Sequence, residues 1–148
     1  MTMKKLIILI VSLGLLSACM QKNDAEKFLG SWVGERVHSS LYFDSLSTIE
    51  LKIEPYQSTS SKDEKVAVNV RVTTVNTRNN RYSSTLKDHV AEREATYHFY
   101  VVGDHMMRHS PDDQPFIQYV NGELKGLVDA DIFAMIGVHK DVIYVAAR

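Results

Sequence analysis

Cysteine is almost missing from this chain, with one in 148 residues. A lone thiol excludes an intramolecular disulfide framework and any cysteine-rich zinc site. A basic excess is missing too. Setting aside Lys4 and Lys5 leaves 15 basic residues against 18 acidic, a balance near −3. That excludes the clustered Lys/Arg surface of a nucleic-acid binder. No Gly-x-Ser-x-Gly elbow marks a serine nucleophile, and no complete calcium loop is present. No internal repeat, low-complexity segment or domain boundary divides the chain. What remains after the N-terminal stretch is about 130 residues, the size of one domain with a real core.

What is present begins at the N-terminus. Lys4-Lys5 precede an apolar stretch from Leu6 to Leu16, and the first eighteen residues hold no acid. The stretch has the length of a signal-peptide h-region. It falls short of the roughly 20 residues that span a bilayer as a helix. Leu16-Ser17-Ala18-Cys19 follows, with small residues directly before the single thiol. This segment resembles the lipobox of bacterial lipoproteins. The resemblance implies a signal peptide over 1–18, cleavage between Ala18 and Cys19 by signal peptidase II, and diacylglycerol on the Cys19 sulfur. It also implies acylation of the new amine. Two or three acyl chains give stable anchoring, because each buried CH₂ contributes about 0.8 kcal/mol. Met20 stands where enterobacterial lipoproteins retained in the inner membrane carry Asp, which implies sorting to the outer membrane, facing the periplasm. No other cofactor is implied.

Residues 19–29 are expected to form the lipidated cysteine and a polar tether. Gln21 to Lys27 has no hydrophobic period, and seven extended residues reach at most ~25 Å. The body, 30–148, is thus expected close to the membrane surface.

From Gly30 onward the apolar period is two. Ile49, Leu51 and Ile53 alternate with Glu50, Lys52 and Glu54, the pattern of a half-buried strand. Val66, Val68, Val70 and Val72 do the same, and Val75 breaks the parity, which suggests a bulge or the strand's end. Tyr97 to Val102 is apolar on both faces and stops at Gly103-Asp104. Phe116 to Val120 is closed by Asn121-Gly122, a strong hairpin signal. Ile132–Val138 and Val142–Ala147 form a further expected pair, joined through His139-Lys140-Asp141. Leu86 to Ala95 is ambiguous between helical turns and the charged start of a strand ending at Val102. Six or more antiparallel strands in this length predict an all-β domain, a small barrel or a sandwich.

Gly30-Ser31-Trp32 carries the only tryptophan. The tripeptide resembles the Gly-x-Trp that opens the first strand of lipocalin-like barrels. That resemblance implies an indole capping the closed end, an Arg near the C-terminus packed over it (here Arg148), and a cup for a small apolar ligand. The alternative is a Trp32 that simply packs in the core. His98, His105 and His109 lie close in sequence and are the candidates for a metal site. Zinc needs imidazoles converging at ~2.0–2.1 Å, whereas odd separations on a strand place side chains on opposite faces. Solvated histidines are therefore expected. Glu92 and Glu94 flank Arg93 as a solvated face. Tyr42, Phe43, Tyr56, Tyr82 and Tyr119, with Arg78 and Arg81 at a hairpin tip, are residue types common at interfaces.

The sequence thus points to a lipid-anchored, non-enzymatic binding or accessory protein of the cell envelope. Its expected partners are the membrane, through its lipid, and an envelope protein. The alternative is a lipocalin-like carrier of a small apolar molecule; an envelope enzyme or metal-binding factor comes third.

Overall fold

The structure, a computed structural model, describes residues 24–57, 59, 65–78, 89–108, 114–128 and 138–148. Its strands are β1 (Gly30–Ser39), β2 (Phe43–Pro55), β3 (Val66–Arg78), β4 (His89–Val102), β5 (His105–Met107), β6 (Pro115–Val120), β7 (Glu123–Gly126) and β8 (Ile143–Ala146). Each pairs antiparallel with the next, and β8 returns to β1, so the sheet closes into an up-and-down barrel rather than a sandwich. Closure removes the sticky edges that long Val-rich strands would otherwise present.

Alternation explains the core. Ile49, Leu51 and Ile53 of β2, and Val66, Val68, Val70 and Val72 of β3, all point inward and are buried. Register aligns them into rows, such as Trp32–Leu51–Val70–Ala95 across β1 to β4. The short strands add Met106, Ile117, Leu124 and Tyr144, each fully buried. Phe99 meets Phe116 edge to face at 6.0 Å.

The expected break at Val75 is not there. β3 stays in register with both neighbours through Asn76, and Val75 is an outward residue of an unbroken strand. The parity change is a change of face chemistry: the inward positions become Thr74 and Asn76, while the outward one becomes apolar. In the ambiguous segment, His89 onward is strand, because pairing with β3 outweighs its helix-forming residues. Leu86 to Asp88, and residues 132–137 of the expected strand Ile132–Val138, lie outside the described residues; Val138 is buried but not in a strand.

Asn121 (φ 50°) and Gly122 (φ 90°) join β6 to β7. Two consecutive positive φ angles make the type I′ hairpin turn, whose twist matches that of the strands it connects.

The body starts earlier than expected. Glu26–Phe28 is a 3-10 turn that lays Phe28, fully buried, into one end of the barrel. Ala25 is buried as well. Phe28 offers its carbonyl to the Trp32 indole N–H at 2.8 Å and its ring edge to Tyr119 at 6.0 Å. Lys27 is paired with Asp104 in the β4–β5 turn, and that contact holds the Asp104 carboxyl below its usual range. The last part of the expected tether is therefore a plug.

The strands are unequal. β1 to β4 run 10 to 14 residues, and β5 to β8 run 3 to 6. β8 meets β1 at Trp32 and Val33, and β5 meets β4 at Tyr100 to Val102. At ~3.3 Å per residue, β1 continues about 20 Å past its last pairing with β8. Among the described residues, the four long strands thus extend as one sheet beyond the closed part of the barrel.

Candidate functional site

Two clefts stand out among the described residues. One, of about 520 Å³, lies on the outside of the long sheet, over the backbone of Trp32, Leu51, Val70 and Ala95. Its walls are outward side chains, among them Ser31, Glu50, Lys52, Arg71 and Glu94. The other, of about 600 Å³, opens where β1 and β8 diverge, between Gly34–Val37 and Lys140–Ile143. Among the described residues, the inward side chains of β1 to β8 pack into one buried core.

The outer face of β1 to β4 is ordered by register into rows. Nearest the plug is Ser31–Lys52–Asn69–Thr96, followed by Val33–Glu50–Arg71–Glu94 and Glu35–Thr48–Thr73–Glu92. The next row is Val37–Leu46–Val75–Val90. In the first two rows the charges are paired. Arg71 binds Glu94 and lies 3.9 Å from Glu50; Lys52 reaches Glu54 at 2.8 Å. Glu94 raises the Arg71 pKa further, chiefly through that hydrogen bond. Thr96 donates to Asn69 at 2.7 Å, and Asn69 donates to Glu54 at 3.3 Å. The fourth row is apolar from strand to strand and faces water: Val37 is 73% exposed, Leu46 41%, Val75 40% and Val90 62%. Leu41 and Tyr42, in the β1–β2 hairpin, are also exposed. Scattered surface apolar residues are ordinary; here four of them lie side by side across four strands.

The inward side of the same projecting sheet turns polar. Ser47 and Thr74 share a hydrogen bond at 2.9 Å, and Ser45 donates to Asn76 at 2.6 Å. At the β1–β8 seam, the buried Tyr144 ring lies against Gly34, where a Cβ would come within 2.7 Å of it. Burial raises the Tyr144 phenol well above its usual pKa. Arg36 Nη1 is 3.1 Å from Nδ1 of His139 and 3.3 Å from its Nε2.

The residues singled out from sequence fall in different places. Ala18 and Cys19 lie outside the described residues, as do His109, Arg81 and Tyr82. Trp32 is a core residue, 6% exposed. Arg148 is exposed beyond the end of β8, and the Trp32 indole N–H donates to the Phe28 carbonyl. Among the described residues the cation over aromatic rings is Lys27, facing Phe28 and Tyr119. His98 stacks flat on Tyr56, ring centroids 3.9 Å apart, on the outer face. His105 opens β5 opposite Val102, four residues along β4 from His98, or about 13 Å. Among the described residues, no group of three His, Cys, Asp or Glu is placed to hold a metal ion. Of the aromatic interface candidates, Tyr42 is exposed, whereas Tyr119 packs on the plug and is partly buried. The apolar row was missed. Its one sequence signal was the Val75 parity change, which a bulge explains equally well.

No family model, no curated protein and no solved structure matches this chain.

Proposed function

We propose that this chain is a lipid-anchored protein of the bacterial envelope that acts by binding a protein partner, through the outside of its projecting sheet, and not by catalysis. The observation that carries this reading is the exposed apolar row Val37–Leu46–Val75–Val90, set on a barrel whose described interior is occupied by side chains. A carrier would use the inside; here the feature available for recognition is on the outside. The charged rows beside it also differ from the apolar lipid-facing band of a membrane-spanning barrel.

The plug and the row lie at opposite ends of β1. The plug residues lie beside Gly30, and Val37 is seven residues further along β1, about 23 Å away. A lipid on Cys19 would hold the plug end toward the outer membrane and present the row to the periplasm. Cys19→Ala is expected to abolish incorporation of labelled palmitate and to leave the precursor uncleaved by signal peptidase II. A variant that is still processed and membrane-bound would overturn the anchoring. Crosslinking the full chain in living cells tests the binding: a saturable adduct with one protein is the expected result. No adduct, together with a small molecule retained at one per chain, would replace this reading with the carrier.

A further inference from the structure

We infer that the partner segment seated on this face is a cationic amphipathic helix, its apolar stripe on Val37–Leu46–Val75–Val90 and its Lys or Arg residues on the carboxylates around that row. The inference rests on the binding reading above and adds the chemistry of the partner.

Charge decides between occupants. The row is bordered on one side by Glu35 and Glu92, at its two ends, and on the other by Asp44. All three are exposed. Further along the face come Glu50, Glu54 and Glu94, against which stand Lys52 and Arg71. Those two cations are engaged chiefly by Glu50, Glu54 and Glu94, with Glu92 a weaker influence on Arg71; among the described residues, the outward positions of the rows next to the apolar one carry no Lys or Arg beside Glu35, Glu92 and Asp44. A second copy packed face to face would bring carboxylates against carboxylates, and like charges across an interface cost several kcal/mol. An anionic lipid surface would meet the same repulsion. A segment with an apolar stripe between basic residues matches both parts of the face, the pattern of helix-in-groove recognition.

Size agrees. Four strands at ~4.8 Å spacing make a row about 14 Å long. A helix rises 1.5 Å per residue, so about ten residues cover it. The open cleft over Glu50, Arg71 and Glu94 lies two rows away, within reach of long basic side chains.

The test uses the full processed chain in zwitterionic nanodiscs, with empty nanodiscs as the blank. The probe is a fluorescein-labelled 18-residue Lys/Leu peptide patterned as an amphipathic helix. Anisotropy is expected to show saturable binding that weakens at least tenfold between low and high salt. Val75→Glu, at an exposed position, is expected to weaken it at least tenfold, and Glu35→Lys with Glu92→Lys by a similar factor, with unchanged circular dichroism in both. A scrambled peptide of the same composition that binds equally well would overturn the inference, as would a Glu/Leu peptide that binds as tightly. So would a chain whose row is covered by a second copy, seen as a dimer that Val75→Glu dissociates, or by phosphatidylglycerol vesicles that the same substitution releases. These failures leave the broader reading intact wherever an adduct with a protein still forms in cells. Loss of that adduct in favour of a bound small molecule would remove the broader reading itself.

Discussion

Phe28→Ala is expected to lower the unfolding free energy by about 3–5 kcal/mol, the range for truncating a buried aromatic ring. The side chain is fully buried although it follows the polar run from Gln21 to Lys27. Removing it takes away the edge contact with Tyr119 and leaves a hole at the end of the barrel. It also loosens the turn whose carbonyl receives the Trp32 N–H. The two aromatic residues therefore act together, and a Phe28→Ala, Trp32→Ala double mutant is expected to cost less than the sum of the single losses. Urea titration measures all three. A loss below 1 kcal/mol for Phe28→Ala would mean that residues 25–29 are tether, as their composition suggests, and that the plug does not close the barrel.

Gly126→Ala is expected to cost about 3 kcal/mol, at the upper end for forcing atoms into a packed site. A Cβ at this position would lie 2.0 Å from the His139 carbonyl oxygen. That oxygen belongs to the backbone, so no rotamer change relieves the clash. Gly126 N–H donates to Val142 at 2.9 Å, and its carbonyl accepts from Asp141 at 2.9 Å. Displacing the 139–142 turn breaks this pair and disturbs the approach of β8 to β1, the last step of closure. Thermal or urea unfolding gives the magnitude, and amide exchange gives the location. Fast exchange at Asp141 and Gly126 with an unchanged β2–β3 ladder is the expected pattern. A variant as stable as the parent would show that the turn has room to move.

The long strands could be read from the chain because their signal is local. Ile49, Leu51 and Ile53, and the valines from 66 to 72, announce inward faces by alternation, and Asn121-Gly122 announces its own turn. Closure could not be read in that way. It depends on Trp32 and Val33 meeting Ala146 and Val145, residues more than a hundred positions apart. Phe28 stayed hidden because the short stretch Ala25 to Leu29 holds too few apolar residues to show a period. The apolar row stayed hidden for a different reason. Val37, Leu46, Val75 and Val90 come from four strands, and each looks like a stray surface residue until register lines them up. His98 and Tyr56 likewise meet only through the β2–β3–β4 pairing. The lipobox carries its meaning in four consecutive residues, and for that reason the proposed anchor could be named before the proposed binding face.

On the proposed reading, the described interior of the barrel is occupied by its own side chains and the partner binds outside. Native mass spectrometry of the processed chain, released gently from the envelope of its source, tests this most directly. The expected spectrum contains the lipidated chain alone or bound to one protein, and the complex is lost on Val75→Glu. A small apolar molecule retained at one per chain, insensitive to Val75→Glu, would contradict it and move the site inside the barrel.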